Sequence, residues 1–295
     1  MPELPEVQTT VSELNKKVLN RAFVDVWSDW EKTIKKPKNF GIFKKNIKGK
    51  KIKKVWRRAK NVIFELSDNY SLLIHQKMTG HLLVGRWQKE NSQWKPVDKK
   101  SPLADPYNRF LHVIFFLDNG KMMALSDARK FAKVELWETT KLLNSKEFSN
   151  LGPEPLDKSF TFEKFKKIFE NLSAGKQVKK AIMDPYTIAG IGNIYASEAL
   201  WKAKIYPKRS VARLSEKELK SLYKAIKKVL QAGVRLGGES FSDYRKPDGS
   251  KGNFDTERKV YKRENQKCLR CKTKIKRIKF AGRSAFFCPK CQVKK

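Results

Sequence analysis

Four cysteines stand in the last 28 residues of this chain and nowhere else, as Cys268-x-x-Cys271 and Cys288-x-x-Cys291 with 16 residues between the pairs. Two close pairs at that separation are the pattern of a β-hairpin whose turns offer four thiolates to one tetrahedral zinc ion. Two disulfides are the weaker alternative, because the chain carries no secretory segment and no other cysteine. The segment from Arg258 to Lys295 is too short to bury a core of its own, so the metal must supply its fold, and the cofactor expected is one structural zinc. The same segment holds 15 Lys and Arg against one acidic residue, Glu264, which turns it toward a polyanion.

The rest of the chain shares that bias. With 66 Lys and Arg against 30 Asp and Glu, the formal net charge is +36 and the pI about 10.0. Such a field neutralises phosphates with release of counterions and steers their approach, so nucleic acid is the expected partner; a diffusely basic surface is the bland alternative. Membrane binding is the weaker reading, since apolar runs such as Val113 to Leu117 are far too short to span a bilayer. The chain is expected in the cytoplasm, associated with the nucleoid.

At 295 residues there is room for two domains with cores of their own and a small appendage. A helix is predicted from about Leu4 to Val18, where Val7, Val11, Leu14 and Val18 share a face and Pro5 suits the first turn. Strands are predicted at Ala22 to Trp27, Val55 to Leu66, Ser71 to Gln76, Arg109 to Leu117 and Lys121 to Leu125, with Asp118-Asn119-Gly120 as a hairpin turn. These suggest a β-sandwich or barrel-like domain, with the polar stretch Gln88 to Asn108 as a long loop. After a linker the pattern turns helical: Phe162, Phe165, Ile168, Phe169 and Leu172 make one face, and Ser215 with Glu218 forms a capping box before Leu219, Leu222, Ile226, Val229 and Leu230. Between them a helix stops at Asp184-Pro185, the backbone turns through Gly190 and Gly192, and Asn193 is expected to cap the next helix. Glycines before a helix start let amides approach a phosphate; a plain helix-turn-helix corner accounts for the same residues.

The opening Met1-Pro-Glu-Leu-Pro-Glu6 offers a secondary amine once Met1 is removed. An α-amino group has a pKa of about 7.7 to 8.0 against about 10.4 for lysine, so the chain end is the amine most available as a nucleophile. It can form an iminium with a sugar carbon, and the adjacent Glu3 can move protons. An ordinary helix start explains the same six residues.

Taken together, Pro2 to Glu6, Arg57-Arg-Ala-Lys60, Ile74-His-Gln-Lys-Met-Thr-Gly80, Asp127-Ala-Arg-Lys-Phe131, Gly190-Ile-Gly-Asn-Ile-Tyr-Ala-Ser-Glu198 and the cysteine pairs come in the order found in bacterial formamidopyrimidine-DNA glycosylases, and the chain resembles that family over nearly its whole length. Leu4 resembles the formamidopyrimidine branch rather than the endonuclease VIII branch, where glycine is usual. The resemblance implies an α+β fold with an N-terminal β-sandwich and leading helix (1–137), a linker (138–152), a helical helix-two-turn-helix domain carrying a lesion-capping loop (153–257) and a zinc-ribbon β-hairpin (258–295).

It also implies an activity: excision of oxidised purines such as 8-oxoguanine and formamidopyrimidines, followed by β,δ-elimination at the abasic site, on double-stranded DNA, by a monomer. Pro2 would attack C1′ of the flipped nucleotide, Glu3 would protonate the sugar ring oxygen, and Lys60 would contact the phosphate beside the lesion. Glu6, with Ser240 and Tyr244 of the loop Gly237 to Arg245, would line the lesion pocket. Met78, Arg129 and Phe131 match the wedge that fills the hole left by a flipped base, and an apolar chain, a planar cation and a ring suit that task; as strand residues, Met78 and Phe131 would instead be core. His75, Asn193 and Arg283 would contact DNA. Lys77, Ala128, Lys130 and Ala132 depart from the family pattern around the wedge. An oxidised-pyrimidine glycosylase of the endonuclease VIII type and a non-catalytic zinc-ribbon DNA-binding protein are the alternatives; Leu4 speaks against the first, and intact Pro2, Glu3 and Lys60 against the second.

Overall fold

The computed structural model describes residues 1–240 and 243–294, which group into two compact units: Met1–Ser149 with Leu236–Asp255, and Asn150–Arg235 with Thr256–Lys295. The stretch after Arg235, attached to the helical region by the sequence reading, thus packs with the first unit. Its hydrogen bonds to Glu6 and Asp105, given below, are the physical reason.

The first unit opens with α1 (Leu4–Val18), the span predicted, with Leu4, Val7, Leu14 and Val18 buried. Then come β1 (Phe23–Ser28), β2 (Ile34–Lys36), α2 (Phe40–Ile47), β3 (Ile52–Arg58), β4 (Asn61–Leu66), β5 (Tyr70–His75), β6 (His81–Gly85), β7 (Trp87–Glu90), β8 (Gln93–Pro96), β9 (Leu111–Leu117), β10 (Met122–Ser126), β11 (Lys133–Glu138), α3 (Thr139–Leu143) and α4 (Lys146–Ser149). They form a four-stranded sheet, β1-β9-β10-β6, and a five-stranded sheet, β2-β11-β5-β4-β3. One core lies between them, with Val26, Phe115 and Leu125 from the first sheet, Val55, Phe64 and Ile74 from the second, and Val7, Val11 and Leu14 from α1. This is the expected sandwich.

Three details differ from the sequence reading. The run Val55 to Leu66 is not one strand: β3 and β4 pair antiparallel with Arg58 opposite Asn61, and Ala59 turns the chain at φ 52°. The stretch Gln88 to Asn108 is not all loop, because β7 and β8 form a hairpin that brings Trp94 onto Trp87, Leu111 and Ile114 on the outer face of the four-stranded sheet. Part of the expected linker is helical, and Leu142 and Phe148 of α3 and α4 pack on Ile63 and Leu73 of the five-stranded sheet. Covering both faces explains why β5 reads as a continuous apolar run rather than an alternating one.

The second unit contains α5 (Phe162–Glu170), α6 (Val178–Met183), α7 (Asn193–Ala203), α8 (Glu216–Arg235), β12 (Lys276–Phe280) and β13 (Arg283–Phe287). The predicted capping box opens α8: Ser215 N–H donates to Glu218 Oε2 at 3.0 Å, and Glu218 N–H to Ser215 Oγ at 3.3 Å. The β12–β13 hairpin has its small core completed by Trp201 of α7, beside Val260, Ile275 and Phe286. Glu198 of α7 holds the strand leading into it, accepting the N–H groups of Lys259, Val260 and Tyr261 at 2.9, 3.0 and 2.8 Å. Burial pushes that carboxyl up, although the three N–H donors favour the anion. Among the described residues no helix is long and apolar enough to cross a membrane.

Candidate active site

Helix α1 begins directly after Glu3, so the chain terminus sits at its mouth. Pro2 is buried, and Glu3 is 4% exposed. Glu3 and Glu6 form a capping box: the Glu3 side chain accepts the Glu6 N–H, while Glu6 Oε2 accepts the Glu3 N–H at 2.7 Å. The other oxygen of Glu6, itself 1% exposed, accepts the N–H of Glu239 at 2.8 Å. Burial lowers the pKa of the terminal ammonium, here that of Met1, below its ordinary 8.0; Glu3 and Glu6 pull it back up, Lys60 lowers it and Asp243 raises it.

Lys60 lies half-buried on the turn between β3 and β4. His75 ends β5, and its Nδ1 accepts the Lys77 N–H at 2.9 Å, so the neutral ring carries its proton on Nε2. Burial first, and then the cations Lys77, Lys60 and Lys133, bring the His75 pKa down to about 3. Because the charge of Lys60 acts on both the terminal amine and His75, these three groups share one neighbourhood.

The three wedge residues project from turns rather than from the core. Met78 is 40% and Phe131 52% exposed, and the Arg129 guanidinium lies 4.5 Å from the centre of the Phe131 ring. Sequence reasoning gave no role to the group that holds them. Asp127, 1% exposed, accepts from the Thr79 hydroxyl, from Arg129 N–H at 3.3 Å and from Ala132 N–H at 2.7 Å, so one carboxylate staples the Met78 turn to the Arg129–Phe131 turn. Two of the departing residues, Lys77 and Lys130, have left-handed backbones at φ 52° and 57°. Glycine adopts this conformation without strain, whereas a side chain such as lysine does so at a cost.

In the loop Gly237 to Arg245, Phe241 and Ser242 lie outside the described residues. Its start closes on Glu6: Gly238 has φ 83°, and a Cβ there would lie 2.8 Å from Glu6 Cγ, so only glycine fits. Ser240 and Tyr244 are both turned to internal bonds. Ser240 Oγ accepts the Gly252 N–H at 2.8 Å, and the buried Tyr244 hydroxyl donates to the carbonyl oxygen of Glu6 at 3.0 Å.

In the second unit Gly192, not Asn193, occupies the cap of α7, and Asn193 is its first helical residue. The Asn193 Oδ1 has no hydrogen-bond partner among the described residues. Arg283 opens β13, exposed, and lines with Lys180, Met183, Asp184, Phe280 and Ala281 a groove of about 290 Å³. Under it Lys179, fully buried, donates to Ser197 Oγ at 2.9 Å and reaches the Ser284 carbonyl oxygen at 3.4 Å, while Ser197 Oγ donates to the Asn193 carbonyl oxygen at 2.7 Å.

The four cysteines are free thiols whose sulfurs all lie within 4.8 Å of one another, with Cys271 Sγ at 3.4 Å from those of both Cys288 and Cys291. Zinc–sulfur bonds of about 2.3 Å in a tetrahedron put sulfurs about 3.8 Å apart, so this donor set fits one zinc ion, closed to water. The Cys288 N–H is in turn held by Gln292 Oε1 at 2.9 Å.

Comparison with known proteins agrees along the chain. Residues 1–134 match the formamidopyrimidine-DNA glycosylase N-terminal domain, residues 151–245 the formamidopyrimidine-DNA glycosylase H2TH domain, and residues 265–293 the zinc finger found in FPG and IleRS. The formamidopyrimidine-DNA glycosylase of Pelotomaculum thermopropionicum is 38% identical over 292 residues, and that of Desulforamulus reducens 37% over 293, each comparison covering 99% of both chains. A Lactococcus lactis FPG mutant in complex with Fapy-dG-containing DNA is similar in structure, with a TM-score of 0.86 and 31% identity, and the Lactococcus lactis Fpg with abasic-site DNA has a TM-score of 0.84 at 31% identity; each covers 99% of this chain and 100% of its own. With relatives this similar over its whole length and three matching domains in the same order, the chain belongs to the formamidopyrimidine-DNA glycosylase family.

Proposed function

We propose that this chain is a base-excision DNA glycosylase with abasic-site lyase activity, acting on oxidised purines in double-stranded DNA through the amine of Pro2. The observation that carries the reading is Pro2, buried beside Glu3 at the start of α1, with Glu6 and Lys60 close enough for their charges to act on the terminal amine. Removal of Met1 leaves Pro2 with a secondary amine at the mouth of α1. Burial disfavours its charged form, so more of it is the free base that attacks C1′ of a flipped nucleotide. The bond from C1′ to the base breaks, the electron pair leaves with the base, and Glu3 delivers a proton to the ring oxygen as the sugar opens. The resulting iminium acidifies the adjacent C2′ proton, and loss of the 3′ and then the 5′ phosphate cuts the strand on both sides.

Lys60 and the Nε2–H of His75 supply donors for the phosphates flanking the lesion, and Asn193 and Arg283 are the DNA-contacting residues of the second unit. Met78, Arg129 and Phe131 enter the duplex where the base has left. Glu6 orders the lesion side by holding both the Glu3 and Glu239 amides, and Ser240 and Tyr244 shape that side through the loop's internal bonds. Zinc on Cys268, Cys271, Cys288 and Cys291 keeps the hairpin folded and enters no chemical step. The protein works as a monomer in the cytoplasm, at the nucleoid.

Borohydride added during turnover on 8-oxoguanine duplex should reduce the iminium to a stable adduct that mass spectrometry maps to the N-terminal proline. A protein that retains Met1 should bind the same duplex and leave it uncut. Mapping of the adduct to Lys60, or full activity with Met1 in place, would refute the proline mechanism.

A further inference from the structure

A cavity of about 510 Å³ opens in the first unit among β1, β8, β9 and the stretch from Leu103 to Phe110, and it uses no residue assigned to the amine chemistry or to DNA. Its volume is that of a small-molecule site. The walls are aromatic: Trp94 of the β7–β8 hairpin meets Trp27 of β1 edge to face, with ring centres 5.5 Å apart and planes at 68°. Neither ring is fully buried, and such a corner suits a flat heterocycle stacked on one indole and edged by the other.

Beside these rings stands His112, 8% exposed and held by two bonds. Its Nδ1–H donates to Asp29 Oδ1 at 2.8 Å, and its carbonyl oxygen accepts the Ser28 hydroxyl at 2.6 Å. With the ring proton fixed on Nδ1, the neutral imidazole presents Nε2 as an acceptor. Among the described residues no hydrogen bond reaches that nitrogen or Asp29 Oδ2. Asp105, on the same cavity, is committed to the fold instead, since its Oδ1 accepts from Arg245 Nη2 at 3.1 Å and from the Tyr107 N–H at 2.9 Å. Arg109 is exposed, has no ion pair among the described residues and lies 4.9 Å from the centre of the Phe110 ring. The cavity thus offers two acceptors, an aromatic corner and a free guanidinium.

We propose that this cavity is a binding site for a guanine nucleotide. Guanine carries adjacent ring and amino N–H donors, which suit His112 Nε2 and Asp29 Oδ2, whereas adenine and cytosine offer an amino group alone and thymine a ring N–H alone. The purine stacks in the corner of Trp27 and Trp94, and the phosphate pairs with the Arg109 guanidinium through charge-assisted hydrogen bonds. This site goes beyond the excision reaction, and neither reading depends on the other.

Isothermal titration of the intact protein with GMP, guanosine, inosine and ribose 5-phosphate tests each part. GMP should bind saturably at one site and quench tryptophan emission. Guanosine, without the phosphate, should bind roughly tenfold more weakly, inosine, without the amino group, more weakly again, and ribose 5-phosphate weakest of all. Arg109→Ala should remove the advantage of GMP over guanosine and leave guanosine binding within about twofold of the parent. His112→Phe, which fills the ring space without the acceptor, should weaken both ligands roughly tenfold or more. Asp29→Ala, at an exposed side chain, carries that test where melting shows that His112→Phe does not fold. In the pentanucleotide d(TTGTT) the same base sits in a strand: binding that falls in the variants as GMP binding does makes an unstacked strand base an occupant too, and binding indifferent to them restricts the site to the free nucleotide. The proposal is overturned by no saturable binding of GMP at millimolar concentration, by ribose 5-phosphate bound as tightly as GMP, by inosine bound as tightly as guanosine, or by guanosine binding unchanged in folded His112→Phe or in Asp29→Ala. None of these results bears on the borohydride test of the amine.

Discussion

Replacing Asp127 with Asn tests whether one carboxylate holds the wedge. The change is nearly isosteric and leaves an oxygen for the Thr79 hydroxyl and the Arg129 N–H. It turns an NH2 group toward the Ala132 N–H, which now reaches Oδ2 at 2.7 Å. Ala132 is 1% exposed, so its N–H gains no water in exchange. A hydrogen bond to a charged acceptor contributes about 1.5 to 3 kcal/mol, and an unpaired buried donor costs about 1 to 3 kcal/mol, so a loss of about 3 kcal/mol is expected with partial relaxation. At roughly 2 to 4 °C per kcal/mol, the first unit should melt about 6 to 12 °C lower by calorimetry. Thr79→Val, which removes the hydroxyl donor to Asp127 and the acceptor of the Arg129 N–H at 3.1 Å, should cost about 1.5 to 3 kcal/mol by the same reasoning. At a temperature where the variant is folded, its excision of 8-oxoguanine from duplex should drop well below its cutting of a preformed abasic site, because a loosened wedge impairs flipping. A melting temperature within 1 °C of the parent, by calorimetry of Asp127→Asn, would refute the staple whatever the activity.

Three further outcomes are expected. Elemental analysis should find one zinc per chain, and Cys288→Ser or chelation should strip the cover from Trp201, open the segment after Thr256 to protease and abolish DNA binding, while the first unit stays folded; active protein without zinc would contradict this. Gln76→Leu should stabilise the protein by about 1 to 2 kcal/mol in denaturant unfolding, because the Gln76 amide is 1% exposed and finds no partner among the described residues; a destabilised variant would show that the amide is satisfied. His75 stays neutral in the folded chain down to about 3 but takes up a proton near 6.5 when unfolded, so the unfolded state binds more protons in that window. Stability should therefore be lost as pH falls from about 6.5 toward 3, with a slope from this residue of at most about 1.4 kcal/mol per pH unit that His75→Gln removes; an unchanged pH profile in the variant would count against the buried, neutral ring.

Helix α1 is legible to the residue because its apolar spacing and its glutamate pair act within four positions of each other. The cysteine pairs are legible because metal geometry leaves few spacings open. The hairpin of β7 and β8 is not, since its apolar content is Trp87 and Trp94 alone and its burial comes from a sheet face made by distant strands. The break in the run Val55 to Leu66 escapes notice because Ala59 carries no mark of a left-handed residue. Asp127 is in plain view within its motif, yet its role depends on Thr79, 48 positions away. The Asp105–Arg245 joint spans 140 positions, and no local pattern announces it. Lys60, His75 and Arg283 are single basic residues in a chain full of them, so only the family resemblance and the fold distinguish them.

The first unit is discontinuous, and this imposes an order on synthesis. When the ribosome has passed Ser149, every strand of both sheets has been translated, but the loop that closes on Glu6 is still unmade. At about 5 to 20 residues per second, the chain through Asp255 follows roughly 5 to 20 s later. Glu239, whose N–H one oxygen of Glu6 accepts, is among the residues still to be added in that interval. The zinc ligands emerge later again. A chain at that stage has neither the loop stems nor the zinc hairpin in place, and its last zinc ligand, Cys291, is translated only four residues before Lys295.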